Sequence, residues 1–473
     1  MTEPDLVVLG AGASGLGAAR EARRRGKQVV LVEAGRPGGD CTHYGCVPSK
    51  ALLETARRVQ AARSGGAYGF HAPVAVDFPR VMQRVHDVIA EIEQDESPEL
   101  LARQGIELVQ GWGTFTSPTT LDVDGGTIRS RRFVVASGSR AAVPPVPGLR
   151  ESPYLDNRTV FDLRELPEHL LVLGGGPIGI ELAQAFRRLG ADVTVVEALP
   201  TVLAREEPEA QAAVTRVLAR EGVTVRTGVA VTRVSAGPVL HLADGSTLAG
   251  SHLLVAVGRT PSTDGFGLER TGVRLDERGR IVTDRHLQAA GTVWAAGDCT
   301  SALQFTHVGH EQGRIAAKNA FGTPLLPGSR LRWSDRAVPW VTFTEPEVAH
   351  VGLTEAQAYA KHGARVLVSY VPDSDGDRPR AAGETDGFVK ILALPPAVGG
   401  APLAKVVGMT VVGPAAGEQI AEGALALRAG LLAFRLAQVV KAYPTWSLST
   451  RVAAARLFRE YDGVRARRAR PPG

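Results

Sequence analysis

Residues 6–15 read LVVLGAGASG and decide the fold. An apolar run, which predicts a strand, leads into a glycine turn. An alanine-rich helix to Arg25 follows, and then an apolar strand over residues 28–32 that ends at an acid. Glycines at such a turn let a pyrophosphate approach the helix N-terminus, and the acid accepts ribose hydroxyls. The unit is therefore a predicted dinucleotide-binding site. Its predicted contact residues are Gly10, Gly12, Gly15 and Glu33.

The same pattern recurs in the middle of the chain. Residues 170–179 read LLVLGGGPIG, a helix is predicted through Leu189, and residues 192–197 read DVTVVE. Because both copies have the complete strand–turn–helix–strand context, two bound dinucleotides are expected. The predicted contact residues of the second copy are Gly174, Gly176, Gly179 and Glu197.

The acid of the second copy bears on which nicotinamide cofactor binds. A carboxylate at the end of this strand accepts ribose hydroxyls and repels a 2′-phosphate. Glu197 therefore predicts NADH in preference to NADPH. Arg205 lies nearby in the sequence and would weaken that preference.

Two cysteines lie shortly after the first copy, where residues 38–50 read GGDCTHYGCVPSK. In a regular helix five residues advance roughly 7.5 Å, and the Cα atoms of disulfide-bonded cysteines rarely lie more than about 7 Å apart. A bonded pair of Cys41 and Cys46 therefore needs Cys41 outside the helix. Gly45 relieves backbone strain before Cys46, and Pro48 fits a helix's first turn. At a helix start the pKa of Cys46 is lowered, which makes it a candidate redox centre.

Two dinucleotide sites with a dithiol between them predict an electron relay from nicotinamide through flavin and disulfide to an external acceptor. Here the sequence resembles the flavoprotein disulfide reductases, the family of dihydrolipoamide dehydrogenase, glutathione reductase and mercuric reductase. The resemblance covers essentially the whole chain. It continues in VVASGS at 134–139, VGRTP at 257–261 and AAGD at 295–298. These segments are similar to the family's Ala-Thr-Gly-Ser, Gly-Arg-x-Pro and flavin-contacting aspartate motifs.

The resemblance implies an α/β protein with two Rossmann-like dinucleotide-binding domains, for FAD and NAD(P), and an α+β C-terminal dimerisation domain. Residues 1–147 would form the first part of the FAD domain and 148–263 the NAD(P) domain. Residues 264–330 would return to the FAD domain, and 331–473 would form the dimerisation domain. A homodimer is expected, in which the C-terminal loop completes the partner's active site.

The resemblance also implies roles for individual residues. Cys46, nearer the flavin, would form the charge-transfer thiolate, and Cys41 would meet the acceptor. Lys50 would lie beside the flavin and pair with Glu181 of the second nucleotide helix. Asp298 would hold the ribityl chain. The other residues expected to bind a cofactor are Gly39, Gly113, Ser137, Gly138, Gly258 and Arg259.

The family pattern breaks near the C-terminus. Members that exchange thiols with disulfides carry His-Pro-Thr followed by a glutamate, which move the proton of the interchange thiol. Residues 441–448 here read KAYPTWSL, so Tyr443 takes the place of the histidine and Leu448 that of the glutamate. A phenol with a pKa of about 10 is a poor base at neutral pH. Efficient exchange with lipoamide or glutathione is therefore not expected.

Mercuric reductase also has a tyrosine in this loop and resembles the chain around residues 304–306 and 338–352. A phenol can ligate a soft metal ion held by thiolates, and a metal ion needs no proton. The C-terminal cysteine pair of mercuric reductase is replaced here by RPPG at residues 470–473. The N-terminal metal-binding module that many mercuric reductases carry is also not found in this sequence.

Three functional hypotheses follow. The first is an NADH-dependent flavoenzyme that passes electrons through the cysteine pair to a metal ion or small oxidised acceptor. The second is a disulfide reductase, similar to dihydrolipoamide dehydrogenase, with a substitute base. His43, inside the redox loop, is the first candidate for that base, before His307 and His310. The third is a redox-sensing flavoprotein or quinone reductase that does not depend on the dithiol.

Charge and composition limit the partners. The 54 Lys and Arg residues nearly balance 49 Asp and Glu. Part of the excess lies in residues 465–470, which are predicted to be a disordered end, so no nucleic-acid partner is expected. No signal peptide is found, and no apolar run approaches the roughly 20 residues that span a bilayer. Three cysteines, two of them in the redox loop, predict a cytoplasmic location. Cys299 is expected to be a buried filler, and no resident metal site is predicted.

Overall fold

The structure is a computed structural model that describes residues 3–323, 328–398 and 400–471. Its strands, numbered along the chain, are β1 Leu6–Leu9, β2 Val29–Glu33, β3 Ile106–Gln110, β4 Gly113–Ser117, β5 Thr120–Val123, β6 Gly126–Arg129, β7 Phe133–Val135, β8 Ser139–Ala141, β9 His169–Leu173, β10 Asp192–Glu197, β11 Thr224–Thr227, β12 Val231–Ser235, β13 Val239–Leu242, β14 Thr247–Ala249, β15 His252–Val255, β16 Arg259–Pro261, β17 Gln288–Ala290, β18 Val293–Ala295, β19 Pro339–Thr342, β20 Glu347–Gly352, β21 Leu367–Pro372, β22 Phe388–Leu394, β23 Lys405–Gly413 and β24 Arg467–Arg468. Its α-helices are α1 Ala13–Arg24, α2 Gly39–Tyr44, α3 Cys46–Arg63, α4 Phe78–Glu93, α5 Pro98–Arg103, α6 Pro177–Leu189, α7 Pro208–Arg220, α8 Thr306–Ala320, α9 Glu355–His362, α10 Asp377–Ala382, α11 Ala416–Ala429, α12 Ala433–Gln438 and α13 Leu448–Arg456.

The first large sheet is built around the glycine turn that follows β1. Its strand order is β17-β18-β7-β1-β2-β3, and all its strands except β17 run parallel. The connection from β1 to β2 passes through α1. Strands β17 and β18 bring the chain back to this sheet after the second nucleotide unit. Helix α8 returns with them and packs on α1, and the apolar side chains between these helices form one core.

The second nucleotide unit repeats this construction in a four-stranded parallel sheet of order β11-β10-β9-β15. Helix α6 joins β9 to β10. Gly10 has a φ of 97° and Gly174 a φ of 115°. An added Cβ would lie 2.4 Å from Ala136 O at Gly10 and 2.5 Å from Ala256 O at Gly174. Each turn is therefore pressed against the neighbouring strand end, and only glycine fits there.

The C-terminal unit is an antiparallel sheet of order β19-β20-β23-β22-β21-β24. Helices α11, α12 and α13 share one apolar core with it. The predicted fold class, two dinucleotide-binding units and an α+β C-terminal unit, is confirmed. The boundaries between the four predicted segments stay predictions. Among the described residues, no helix combines the length and the apolar character needed to cross a membrane.

The arginine-rich end differs from its prediction. Residues 465–470 were expected to be disordered, but Arg467 and Arg468 form β24 on the edge of the C-terminal sheet. Ala469 is buried, and its N–H donates to Val366 O. The tail is ordered because Arg467 finds a carboxylate partner in Glu355, which lies 112 residues away in the sequence. Residues 472 and 473 lie outside the described residues.

Candidate active site

A cleft of about 1950 Å³ connects the two glycine turns with the cysteine pair. Pockets for one small ligand usually measure about 300–1,000 Å³, so this cleft has room for two large ligands. Gly15 and Gly179 lie behind the turns, where an added Cβ would be 1.7 Å from Gly10 O and 2.1 Å from Gly174 O. The other predicted site residues in its lining are Gly10, Gly12, Glu33, Gly39, Cys41, Cys46, Lys50, Gly113, Ser137, Gly138, Gly174, Gly176, Glu181, Glu197, Gly258, Arg259 and Asp298.

The two cysteines lie in two consecutive helices. Cys41 is in the short helix α2, and Cys46 begins α3. Gly45 separates the helices with φ −128° and ψ −110°, and an added Cβ there would lie 2.9 Å from Asp40 O. Cys41 is thus outside the helix of Cys46, as a bonded pair requires, although it has a helix of its own. The two sulfurs are not bonded to each other, and the Cys46 side chain is exposed to the cleft.

The two thiols have different proton affinities. A hydrogen bond from Cys41 lowers the pKa of Cys46 to about 6, with help from the Thr306 hydroxyl and the Lys50 ammonium and against the effect of burial. The Thr306 Oγ1 lies 3.2 Å from Cys46 Sγ. The same hydrogen bond, together with burial, raises the pKa of Cys41. At neutral pH the pair therefore holds one proton, which is on Cys41, and Cys46 is the thiolate.

An ion pair connects the redox helix α3 to the second nucleotide helix α6. Lys50 Nζ lies 2.7 Å from Glu181 Oε2. Glu181 is only 6% exposed, and its Oε1 accepts from Phe343 N at 2.8 Å. The Lys50 ammonium also lies 4.4 Å from the centroid of the Phe343 ring. This contact agrees with the predicted Lys50–Glu181 pairing and ties α3, α6 and the C-terminal sheet together at the cleft.

The first glycine turn has the geometry for the pyrophosphate and ribose of a dinucleotide. Glu33 closes the turn by accepting from Ala11 N at 2.6 Å and from Gly35 N at 2.7 Å. Helix α2 lies over the turn, so that a Cβ at Gly39 would be 2.8 Å from Gly12 Cα. A dinucleotide at this turn would be covered by the chain.

A polar network extends from this turn along the cleft. Ser139 Oγ donates to Asp298 Oδ2 at 2.6 Å and accepts from Arg259 Nε at 2.7 Å. Arg259 Nη2 donates to Asp40 Oδ2 at 2.6 Å, and Asn157 Nδ2 donates to the same oxygen at 3.1 Å. Asp40 Oδ1 is buried and has no hydrogen-bond partner in the described part of the chain. Burial raises the pKa of Asp298, against the hydrogen bond from Ser139. Carboxylate acceptors in a cleft suit the hydroxyl groups of a ribityl chain.

The remaining motif residues shape the wall between the turns. Ser137 Oγ donates to Ser262 O at 2.5 Å, which joins the segment 134–139 to the residue after the segment 257–261. Gly138 and Gly258 have φ values of 70° and 126°, and neither would clash through an added Cβ. Gly113 is buried, with an added Cβ 3.3 Å from Val32 Cγ1. At Gly138 and Gly258 the positive φ favours glycine, and at Gly113 a side chain would press on the buried residues Val32 and Leu121.

The second glycine turn repeats the acid contact of the first but is open. Glu197 accepts from Gly175 N at 2.6 Å and from Leu199 N at 2.8 Å. A Cβ at Gly176 would meet no atom of the described residues within 4 Å. Arg205 is exposed and lines the same part of the cleft. This turn therefore has the geometry for a second nucleotide that enters from solvent.

Tyr443 does not join the other predicted site residues within one chain. Its side chain is 70% exposed and is not part of the cleft lining. Its hydroxyl donates to Asp377 Oδ2 at 2.9 Å, and this hydrogen bond raises the pKa of the phenol. In its own chain Tyr443 is thus deprotonated at neutral pH even less often than a free tyrosine, so less of it is available to accept a proton.

The three candidate histidines lie in different environments. His43 is 4% exposed, its Nε2 lies 2.7 Å from Pro37 O, and it is absent from the cleft lining, so its preference as the substitute base is not supported. The ring is held inside the loop because the carbonyl fixes Nε2 as a donor. His310 is also absent from the lining. His307 lines the cleft, its Nε2 donates to Pro339 O at 2.8 Å, and burial lowers its pKa.

Sequence reasoning missed three residues of the site. Thr306, which contacts Cys46, is 260 positions away from it. Asp40 and Asn157 meet across 117 positions. Thr306 is the last residue of the segment 304–306 and begins α8, but nothing in the sequence indicates which sulfur it would meet. Cys299, in contrast, is fully buried as expected, and burial raises its pKa to about 11.

Comparison with known proteins assigns the family. Residues 4–313 match the pyridine nucleotide-disulphide oxidoreductase family, and residues 338–454 match the dimerisation domain of the same family. The chain belongs to the pyridine nucleotide-disulfide oxidoreductases. It is 37% identical to a mercuric reductase of Streptomyces lividans over 95% of each chain. It is 35% identical to a dihydrolipoyl dehydrogenase of Thermus scotoductus, over 96% of this chain and 98% of the other.

A solved structure also superposes on nearly the whole chain. The Cu(II) complex of the HOCl-induced flavoprotein disulfide reductase RclA from Escherichia coli superposes with a TM-score of 0.84 at 29% identity. The match covers 96% of this chain and 99% of that one. This pyridine nucleotide-disulfide oxidoreductase is therefore an FAD-dependent enzyme that uses a pyridine nucleotide and forms a homodimer through its C-terminal domain. The bound flavin supplies two-electron transfer between the nicotinamide and the redox disulfide.

Proposed function

We propose that the enzyme takes electrons from NADH and passes them through Cys46 and Cys41 to a soft metal ion or another small oxidised acceptor. The observation that carries this proposal is the lowered pKa of Cys46, whose side chain is exposed to the cleft. A thiolate at neutral pH is both a nucleophile and a ligand for soft metals. The mercuric reductase among the relatives and the Cu(II) complex of RclA support a metal as the acceptor.

The proton balance also favours a metal ion. With a divalent ion the overall change is NADH + M²⁺ → NAD⁺ + H⁺ + M⁰, in which two electrons reduce the ion and no proton is delivered to it. A disulfide takes up two protons with its two electrons and needs a group that moves them. The phenol of Tyr443 is poorly suited to that task because its pKa is raised.

We assign Tyr443 to the active site of the partner subunit. In its own chain its side chain is largely exposed, and neighbouring Val440 is 93% exposed. A dimer interface would cover such an apolar surface. Across the interface, the phenol oxygen would then be a further ligand for a metal ion held by the two sulfurs.

The preference for NADH and the cellular location belong to the same proposal. Glu197 supports NADH because its charge repels a 2′-phosphate. Arg205, in the same part of the cleft, would attract that phosphate, so NADPH is expected to be a weaker substrate rather than an inactive one. The cytoplasmic location rests on the cysteine usage of the sequence.

The test is NADH oxidation by the purified, FAD-loaded homodimer with Hg(II) and lipoamide compared side by side under a fixed excess of a small thiol. Turnover with Hg(II) and little turnover with lipoamide is expected. Tyr443→His should raise lipoamide turnover, because it restores an imidazole at the position of the missing base. Unchanged lipoamide turnover in that variant would overturn the argument from Tyr443.

One observation favours the second candidate, a disulfide reductase with its own base. Because His307 Nε2 donates to Pro339 O, Nδ1 keeps a free lone pair, and burial keeps the ring neutral. A neutral imidazole in the cleft is a competent proton acceptor. If wild-type turnover with lipoamide is high and His307→Asn lowers it about a hundredfold while Hg(II) turnover persists, this candidate replaces the first.

A further inference from the structure

A buried cluster of charges lies beside the cleft, where the second nucleotide unit meets the C-terminal sheet. Lys390 of β22 is only 1% exposed, and its ammonium contacts three carboxylates. Its Nζ lies 3.0 Å from Glu207 Oε2, 2.9 Å from Glu209 Oε1 and 2.8 Å from Glu355 Oε2. A buried ammonium needs such partners. One lysine therefore joins α7, α9 and the C-terminal sheet.

The C-terminal strand supplies a second cation to this cluster. Arg467 of β24 donates from Nη2 to Glu355 Oε2 at 2.8 Å and from Nη1 to Glu355 Oε1. The N–H of Arg470 also donates to Glu355 Oε1, at 3.2 Å. Burial alone would raise the pKa of Glu355, but the bonds from Arg467 and Lys390 outweigh it and lower the pKa to about 2. Three carboxylates of the cluster thus face two cations.

The cluster holds one end of the loop that follows β10. We call this segment, residues 198–207, the dinucleotide loop. Glu207 at its end is 1% exposed and accepts from Glu355 N at 2.7 Å as well as from Lys390. Adjacent Glu206 accepts from Trp340 Nε1 at 2.7 Å. The partners of Glu206 and Glu207 at this end of the loop, Trp340, Glu355 and Lys390, therefore all belong to the C-terminal unit.

The other part of the dinucleotide loop lies on the open glycine turn. Leu203 N donates to Gly175 O at 2.9 Å, and Leu203 has a φ of 50°, which is strained for a leucine. Arg205 lies between this contact and the buried cluster and lines the cleft. A loop held at both ends keeps a fixed shape around the turn. Release of its C-terminal end would free Arg205 and the strained backbone.

We propose that residues 465–471 form a strap that holds the dinucleotide loop in its binding conformation, with Arg467 as a positioning residue for the pyridine nucleotide. Without Arg467, Lys390 alone would face the three carboxylates. Their mutual repulsion in a buried place would then weaken the contact between Lys390 and Glu207. Burial already raises the pKa of Glu207, so the loss of one cation favours its protonation. The inference rests on the proposed assignment of the second glycine turn to the pyridine nucleotide.

The experiment measures KM and kcat for NADH in the FAD-loaded homodimer, together with NAD⁺ binding by titration. Arg467→Ala is expected to raise KM and the NAD⁺ dissociation constant about threefold to tenfold, with kcat within a factor of about two. Arg467→Gln keeps the side-chain length, removes the charge and serves if the alanine variant does not fold. Arg468→Ala is the matched control, because its side chain on the same strand donates to Arg365 O and to no carboxylate among the described residues.

The outcomes distinguish a failure of the proposed strap from a failure of the assignment of the second glycine turn to the pyridine nucleotide. A raised KM in both Arg467 variants, with Arg468→Ala like wild type, supports the strap. Unchanged KM and NAD⁺ affinity in the Arg467 variants overturns it, and so does an equal rise in Arg468→Ala, which would indicate only a loosened strand. Gly176→Ala is measured in parallel. If it leaves NAD⁺ binding unchanged, the assignment of the second turn fails, whatever the Arg467 variants show.

Discussion

The two glycine turns are built alike but covered differently. In both, a glutamate at the end of the second strand accepts two backbone N–H groups, from Ala11 and Gly35 in the first and from Gly175 and Leu199 in the second. Helix α2, which carries Cys41, lies over the first turn. The second turn has open space at its centre. A nucleotide at the first turn would therefore be enclosed, and one at the second would exchange with solvent.

This difference would give one motif two functions. Under the proposed assignment, FAD at the enclosed first turn would stay with the protein as a resident cofactor, whereas a pyridine nucleotide at the exposed second turn would exchange as a substrate. The covering segment is also the redox segment, so the chain that encloses the first site places the cysteine pair at its edge.

Gly39→Val should have the largest effect, because it separates the cover from the first turn. Gly39 has a φ of 64°, and an added Cβ would lie 2.8 Å from Gly12 Cα. The clash and the strained φ cost about 2–3 kcal/mol, enough to reduce FAD affinity about 30-fold or more. The measurement is the FAD content of purified protein from its absorbance spectrum. Gly291→Ala, at an open position, is the control, and full FAD content in Gly39→Val would contradict the enclosed first site.

Gly176→Ala should weaken only the open turn. The methyl group meets no protein atom, so the fold and FAD content should be unchanged, while the methyl occupies space that the pyrophosphate needs. We expect KM for NADH to rise about tenfold. Steady-state kinetics with flavin content measured on the same sample checks this. A KM like that of wild type would mean that the nucleotide binds elsewhere.

Lys50→Met should alter the thiolate at the junction between the two sites. The Lys50 ammonium is one cause of the lowered pKa of Cys46, so its loss should raise that pKa from about 6. A cysteine is the thiolate above its pKa, so reactivity should fall about threefold near pH 6.5 and recover at higher pH. The pH profile of iodoacetamide alkylation of the reduced enzyme measures the pKa of Cys46. Lys405→Met, an exposed site, is the control, and superimposable profiles for Lys50→Met and wild type would rule out this role.

Glu197→Gln should have the smallest effect. The amide can still accept from one backbone N–H but no longer repels a 2′-phosphate. The ratio of kcat/KM for NADH to that for NADPH is expected to fall about fivefold. An unchanged ratio would show that Arg205 or another group sets the preference.

The motifs could be predicted because each has a local physical reason. Gly10 and Gly174 need positive φ beside a strand, and Glu33 and Glu197 close their own turns within about two dozen residues. The parallel sheets follow from the same strand and helix signals. Most of the site residues predicted from local pattern therefore line the cleft.

What could not be predicted depends on contacts between distant segments. Thr306 reaches Cys46, and Arg467 reaches Glu355, across more than 100 positions each. The sequence position of His43 between the cysteines suggested a base, but sequence position does not fix the direction of a side chain, and the ring binds Pro37 O instead. The tail was expected to be disordered for the same reason, because its partner is remote.

The most direct test of the proposed electron path is rapid mixing of the anaerobically NADH-reduced enzyme with one equivalent of Hg(II), in wild type and in Cys41→Ser. Both proteins should take up electrons from NADH, because that step does not need Cys41. We expect Hg(II) to reoxidise the wild type in a single turnover and to leave the variant reduced for at least about a hundredfold longer. Reoxidation of Cys41→Ser at the wild-type rate would show that electrons leave the enzyme without the cysteine pair.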